Sequence, residues 1–206
     1  MSFYDRWILP RLVDIAMRNK EATRYRSQIV PHARGTVLEI GVGSGLNLPF
    51  YGTGVEQLYG LDPSQELLVM ARKKSRALAF PVDFLAHPGE EIPLDDGCVD
   101  TVVTTWTLCS IPDPLQALKE MKRVLKPGGV LLFAEHGLAP EAQVQRWQQR
   151  LNPLWRRLAG GCNLNRKMDQ LIRAAGFRIA ELETAYAQGP RPLSYIYCGR
   201  AQPAAS

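Results

Sequence analysis

The stretch that decides the fold runs from Val37 to Gly45 and reads VLEIGVGSG. Its first half, Val37-Leu38-Glu39-Ile40, is an apolar run of the kind that forms a strand buried on both faces of a parallel sheet. Its second half puts glycines at 41, 43 and 45. Glycine turns a chain sharply at positive φ and lets a ligand approach the backbone without a Cβ in the way. A tight turn after a strand is how α/β folds build a nucleotide site at the carboxyl end of the sheet. The spacing is G-x-G-x-G and only partly fits the dinucleotide pattern G-x-G-x-x-G. Glu39 adds a carboxylate beside the turn, which repels a pyrophosphate and attracts a cationic group. The turn therefore points to a nucleoside ligand without phosphates, and away from a nicotinamide dehydrogenase.

Outward from this stretch, apolar and amphipathic runs alternate. Strands are expected at Thr36 to Ile40, Gln57 to Leu61, Val82 to Leu85, Val99 to Thr104 and Val130 to Glu135. Helices are expected at Leu46 to Tyr51, Ser64 to Ala79 and Pro114 to Val124, with Ser64 as an N-cap. This is the pattern of an α/β fold, a mostly parallel sheet with helices on both faces. The Lys126-Pro127-Gly128-Gly129 turn stops a helix and leads into the fifth strand. The last quarter changes character. A helix from Asn165 to Gly176 precedes two strands, Arg178 to Tyr186 and Ser194 to Arg200, which close as an antiparallel hairpin at the sheet edge. Three segments follow: a helical segment at 1–34 that packs over the sheet or covers the ligand, the main domain at 35–200, and a polar tail at 201–206.

The chain has 206 residues, 46% of them hydrophobic and 22% charged, which is ordinary for one globular domain. Its net charge of +5 comes from scattered basic residues. No aromatic-rich recognition module accompanies them, so nucleic-acid binding is not expected. Cys98, Cys109, Cys162 and Cys198 are far apart with no C-x-x-C pair. No zinc site is expected from that spacing, and reduced thiols in a cytoplasmic protein are. Met1 to Pro10 has no apolar signal core and no run is long enough to span a bilayer, so neither export nor an integral membrane segment is expected.

Asp62 ends the second strand at the distance past the glycine turn where such folds place a ribose-binding acid, although an aspartate there also caps helices. Asp95-Asp96-Gly97-Cys98-Val99-Asp100 and Leu125-Lys126-Pro127-Gly128-Gly129 are turns ahead of buried strands. Taken in order, E-I-G-V-G-S-G, L-D-P-S, D-D-G-C-V-D and L-K-P-G-G resemble the class I S-adenosylmethionine-dependent methyltransferases over residues 35 to 200. The resemblance implies a Rossmann-like sheet of seven strands with an antiparallel last strand, and S-adenosyl-L-methionine as cofactor. It implies Gly41, Gly43 and Gly45 under the methionine part, Asp62 on the ribose and Glu90 or its neighbours beside the adenine, with Glu39 in the same cofactor set. It adds Pro63, Gly89 and Thr105 to the cofactor set. Many relatives have an acid-small-Glu run before the adenine; here Pro88-Gly89-Glu90 departs from it.

A narrower resemblance lies in Trp106 to Ile111, Glu135-His136-Gly137, Trp147-Gln148-Gln149, Pro153-Leu154-Trp155 and Gly161 to Leu164. These runs look like the animal alkyl thiol methyltransferases and their bacterial relatives. The animal proteins carry a hydrophobic N-terminal anchor, whereas Phe3 to Ile15 here is broken by Arg6, Pro10, Arg11 and Asp14. This chain is thus similar to a soluble version. The resemblance implies a small soft acceptor, a thiol foremost. Methylases of quinone precursors and phospholipid headgroups share the broader motifs, and an apolar, Trp-rich cover leaves room for contact with a membrane surface. A cofactor-binding module without chemistry is the non-enzyme alternative, and the intact turn and Asp62 argue against it. His136, after the fifth strand, is a candidate base, or a residue fixing its loop. Trp106, after the fourth, is a candidate wall for the sulfonium or ordinary packing. Cys109 reads as a buried small residue, with no histidine partner in local sequence. The loop at Cys162-Asn163 caps the last helix or lines the acceptor pocket.

Overall fold

Strand β1 (Gly35–Ile40) is buried over its last four residues and pairs in parallel with β2 (Val55–Leu61) on one side and β4 (Val99–Thr105) on the other. A computed structural model describes residues 14–204, so the part of the expected helical segment at 1–13 lies outside the described residues. Seven strands form one sheet in the order β3-β2-β1-β4-β5-β7-β6. Here β3 is Val82–Leu85, β5 Leu125–His136, β6 Phe177–Tyr186 and β7 Tyr195–Pro203. Only β7 runs antiparallel, wedged between β5 and β6. The chain thus winds one way from β1 to β3 and the other way from β4 onward. The glycine turn follows β1 at the point where the strand order reverses, the place where open α/β sheets bind ligands.

Helices cover both faces. Helix α1 (Lys20–Ile29), capped by Asn19, packs over β5 and β7. Helix α2 (Gln65–Ser75) starts at Ser64, whose hydroxyl accepts from Leu67 N–H, as expected. Helix α3 (Pro114–Val124) has Asp113 as N-cap and Pro114 in its first turn, where a missing N–H costs nothing. Helix α5 (Met168–Ala174) is shorter than the expected Asn165 to Gly176, because the Arg166 carbonyl accepts from Leu138 N–H. Two buried clusters result. One lies among α3, α5 and one sheet face around Leu131, Phe133, Met121 and Ile172; the other lies under α1 and α2 around Val37, Leu58, Val103 and Leu132.

Some expected bounds move, and one helix is added. The expected helix at Leu46 to Tyr51 is a single 3-10 turn, Leu48–Phe50, because Asn47 is drawn toward the sheet by Glu39 and Thr105. The expected tail at 201–206 begins later, since β7 continues to Pro203 opposite Phe177. Between β5 and α5 lies a 17-residue helix, α4 (Ala142–Leu158), which runs through Pro153 and carries Leu151, Trp147 and Trp155. It is held by polar side chains. Gln148 accepts from Ala139 N–H and donates to the Gly137 carbonyl, and Asn152 accepts from Leu164 N–H. Among the described residues, no helix is long and apolar enough to cross a membrane.

Candidate active site

The glycine turn is fixed from below. Gly41 and Val42 N–H both donate to the Leu61 carbonyl, which ties the turn to the end of β2. Asp62 then reaches back. Its Oδ2 accepts from Gly43 N–H at 3.0 Å and its Oδ1 from Ser64 N–H at 2.8 Å. Each oxygen keeps a lone pair beyond the one it spends. The carboxyl does cap the next helix region, yet it also faces a cavity of about 810 Å³. Burial raises its pKa, and the two backbone N–H groups pull it back.

That cavity brings together Glu39, Gly41, Gly43, Asp62, Pro63, Gly89, Glu90, Thr105 and Trp106. Gly45 is not among its walls. A Cβ there would lie 2.6 Å from Leu48 Cδ1 and 3.2 Å from Ala71 Cα, so this glycine exists for packing against α2. Gly43 is the opposite case. Its φ is +53°, and the nearest atom a Cβ would meet is the Gly41 carbonyl oxygen at 3.9 Å. Gly43→Ala is expected to cost only about 1–2 kcal/mol of folding stability, the price of a left-handed alanine, yet to block ligand entry. Gly45→Ala is expected to lower stability by more. Thermal melts and calorimetric titration with S-adenosylhomocysteine separate the two effects.

Glu39 occupies the floor, fully buried. Its Oε2 accepts from the Tyr51 hydroxyl at 2.8 Å and its Oε1 from Asn47 Nδ2 at 2.9 Å. Asn47 in turn accepts from Arg26 Nε at 3.0 Å and donates to Thr105 Oγ1. The positive charge near Glu39 thus comes from the chain's own Arg26, a residue of α1 whose role sequence could not show. Burial pushes Glu39 up to about 7, against the hydrogen bonds of Tyr51 and Asn47. A folded pKa above the ordinary 4.5 means that the native state holds a proton the unfolded chain releases. Stability therefore falls as pH rises from about 4.5 to about 7 and is level above that. Glu39→Gln is expected to remove up to about 3 kcal/mol of this slope, read from urea unfolding between pH 5 and 8.

Trp106 has a φ of +52°, strained for so large a side chain. Its N–H donates to the Ala134 carbonyl, Tyr25 meets its ring edge-on at 6.1 Å, and the Arg26 guanidinium lies 5.2 Å from the ring centre. The indole lines the cavity, with Arg26 as the cation over its ring. The other candidate, His136, does not line the cavity. Strand β5 ends there, and Nδ1 points to Cys162 Sγ at 3.5 Å. Cys109 is buried in the same place, so the histidine partner missing from its local sequence arrives from β5. Cys162 is held below its ordinary thiol pKa, by Cys109 first and then His136, and Cys109 is raised correspondingly.

The walls fit S-adenosylmethionine better than a phosphate-bearing nucleotide. Among the described residues, Asp14, Glu39, Asp62 and Glu90 outnumber Arg26, the one cationic side chain lining the cavity. Gly43 presents an open cradle, and Asp62 keeps two acceptor sites. Glu90 Oε1 accepts from Asp113 N–H at 3.2 Å and so holds this part of the cavity rim to the start of α3.

Comparison with known proteins agrees. Residues 38–133 match the family model described as a methyltransferase domain. The chain is 36% identical to the thiol S-methyltransferase TMT1B of Rattus norvegicus over 168 residues, which cover 80% of this chain and 67% of that protein. It is also 36% identical to the thiol S-methyltransferase TMT1A of Homo sapiens over 179 residues, covering 81% and 71%. A methyltransferase solved in complex with the Haloferax volcanii Trm112 activator shares the fold, with a TM-score of 0.74 at 20% identity over 100% of this chain and 99% of that one.

Proposed function

The chain belongs to the class I S-adenosylmethionine-dependent methyltransferases, and on that premise we propose that its acceptor is a small soft nucleophile, a thiol. S-adenosylmethionine is its cofactor and supplies, when bound, a methyl group already activated on a sulfonium. The likeness to two thiol S-methyltransferases over four fifths of the chain carries the acceptor reading.

The cavity's acids support it. Each carboxylate on the walls is engaged: Asp14 with Ser44 and Arg18, Glu39 with Tyr51 and Asn47, Asp62 with Gly43 and Ser64, and Glu90 with Asp113. An acceptor that supplies its own anion suits such walls. A thiol with a pKa of about 8.5 is a few per cent thiolate at neutral pH. The residues then have three tasks. Gly43 lets the cofactor approach the backbone while Gly41 is closed against Thr107, Asp62 accepts from the ribose hydroxyls, and Trp106 with Ile111 and Pro112 excludes water from the reacting end. For a series of thiols, kcat/KM is expected to rise tenfold per pH unit up to each acceptor's own pKa. One shared inflection for all acceptors would instead reveal a base on the protein.

A quinone precursor or a phospholipid headgroup is the second reading. It is favoured by Trp147, Leu154 and Leu158, exposed at i, i+7 and i+11 on α4 among arginines. Incubation with labelled S-adenosylmethionine and a panel of hydrogen sulfide, alkyl and aryl thiols, a demethylated quinone and phosphatidylethanolamine decides between them. Transfer to thiols is expected; transfer only to the last two overturns the proposal.

A further inference from the structure

Cys109, His136 and Cys162 stand 27 and 26 positions apart in sequence, yet their ligand atoms all lie within 4.8 Å of one another. Three elements deliver them. Cys109 follows β4 and is placed by Glu135, whose carboxylate accepts from Cys109 N–H at 3.2 Å. His136 ends β5. Cys162 follows α4 in a loop that Asn163 fastens, donating from its side chain and its backbone to the Cys109 carbonyl. We propose that these three residues form a binding site for one soft divalent cation of the zinc class.

The geometry and the chemistry both carry this. With Zn–S near ~2.3 Å and Zn–N near ~2.0–2.1 Å, a tetrahedral ion separates a sulfur and a nitrogen ligand by roughly 3.5 Å. The separation of Cys162 Sγ and His136 Nδ1 is 3.5 Å. Two thiolates and an imidazole are the donors that soft or borderline ions choose over magnesium or calcium. Binding releases one proton from each thiol, while His136 stays neutral, gives its Nδ1 lone pair and keeps its proton on Nε2. Two thiolates then balance the dication, which suits a place where both cysteines are buried. The Trp155 indole N–H, buried and otherwise unpartnered, sits against Cys162 and would face a thiolate there. Three ligands leave the fourth tetrahedral position to water or a small ligand.

The position gives the ion a purpose. Ser110 and Gly160 line the cavity directly beside Cys109 and the Gly161-Cys162 step. One ion would therefore bind two wall segments of the cavity, which come from the β4–α3 and α4–α5 connections, to the end of β5. The inference is independent of which acceptor is methylated.

The test uses cobalt(II) as the probe on the full chain, purified under reducing conditions and freed of metal. One equivalent of Co²⁺ is expected to give the thiolate-to-cobalt charge-transfer band and the intense visible bands of a tetrahedral centre. Cys162→Ser is expected to halve the charge-transfer band and weaken binding by about 100-fold or more. His136→Ala should shift the visible bands, and Cys198→Ser should change neither. Thiol counting on the wild type guards against a variant that does not fold. Zinc should protect two thiols from alkylation, and peptide mapping should place them at 109 and 162. An octahedral cobalt spectrum, unaltered binding in a folded Cys162→Ser protein, zinc protection of other thiols, or a stable Cys109–Cys162 disulfide in the reduced preparation would each overturn the site.

Discussion

Asp62→Ala is expected to weaken S-adenosylhomocysteine binding by about 100-fold, or about 3 kcal/mol, from the loss of charge-assisted hydrogen bonds worth about 1.5–3 kcal/mol each. Two effects combine. On the proposed reading the carboxylate accepts from the ribose, and it also holds Gly43 N–H and Ser64 N–H at the glycine turn and the start of α2. Asp62→Asn separates them, since it retains the shape and one acceptor oxygen. Its affinity should fall between those of the wild type and the alanine variant. Isothermal titration calorimetry reads both. An alanine variant that binds within twofold of the wild type would show that the ribose is held elsewhere.

The largest expected loss of stability is at Glu135. This carboxylate is fully buried and collects three donors: Thr104 Oγ1 at 2.8 Å, Thr107 N–H at 3.0 Å and Cys109 N–H at 3.2 Å. Glu135→Ala would orphan all of them beneath the strained turn at Trp106. An unsatisfied buried donor costs about 1–3 kcal/mol, so a total on the order of 4 kcal/mol is expected from urea unfolding. Glu135→Gln, which keeps one oxygen, should lose clearly less. A loss under about 1 kcal/mol in the alanine variant would mean that the 104–109 segment finds other partners for these groups.

Most of the fold was legible because its signals are local. The run at Val37 to Ile40, the Ser64 cap and the Pro114 start each depend on neighbours within a few residues, and the structure keeps them. The glycine turn and Asp62 are short local motifs as well, and Glu39, Gly43, Asp62 and Glu90 meet in one cavity. Contacts between distant segments were not legible. Arg26 joins the cavity floor because α1 folds across β5 and β7, and nothing near position 26 announces it. Of the three motif glycines only Gly43 is open to the cavity, while Gly41 is closed by Thr107 and Gly45 by Leu48 and Ala71, a distinction that sequence spacing does not encode. His136 and Cys109 each lacked a partner in local sequence; sheet order supplied one from another strand. Helix α4 was hidden by Pro153 and by a face that buries Gln148 and Asn152 in place of aliphatic residues.

The placement of β7 also fixes an order of events during synthesis. In the sheet, β6 touches no strand other than β7, and β7 is made after it. Before 195–203 is available, β1 to β5 can already pair, but β6 has no neighbour to accept its hydrogen bonds. Until 195–203 emerges, the β5 edge stands open and Phe177 lacks its Pro203 partner. A nascent chain paused in that interval would carry a finished cofactor turn beside an unfinished sheet, with an edge free to pair with another chain.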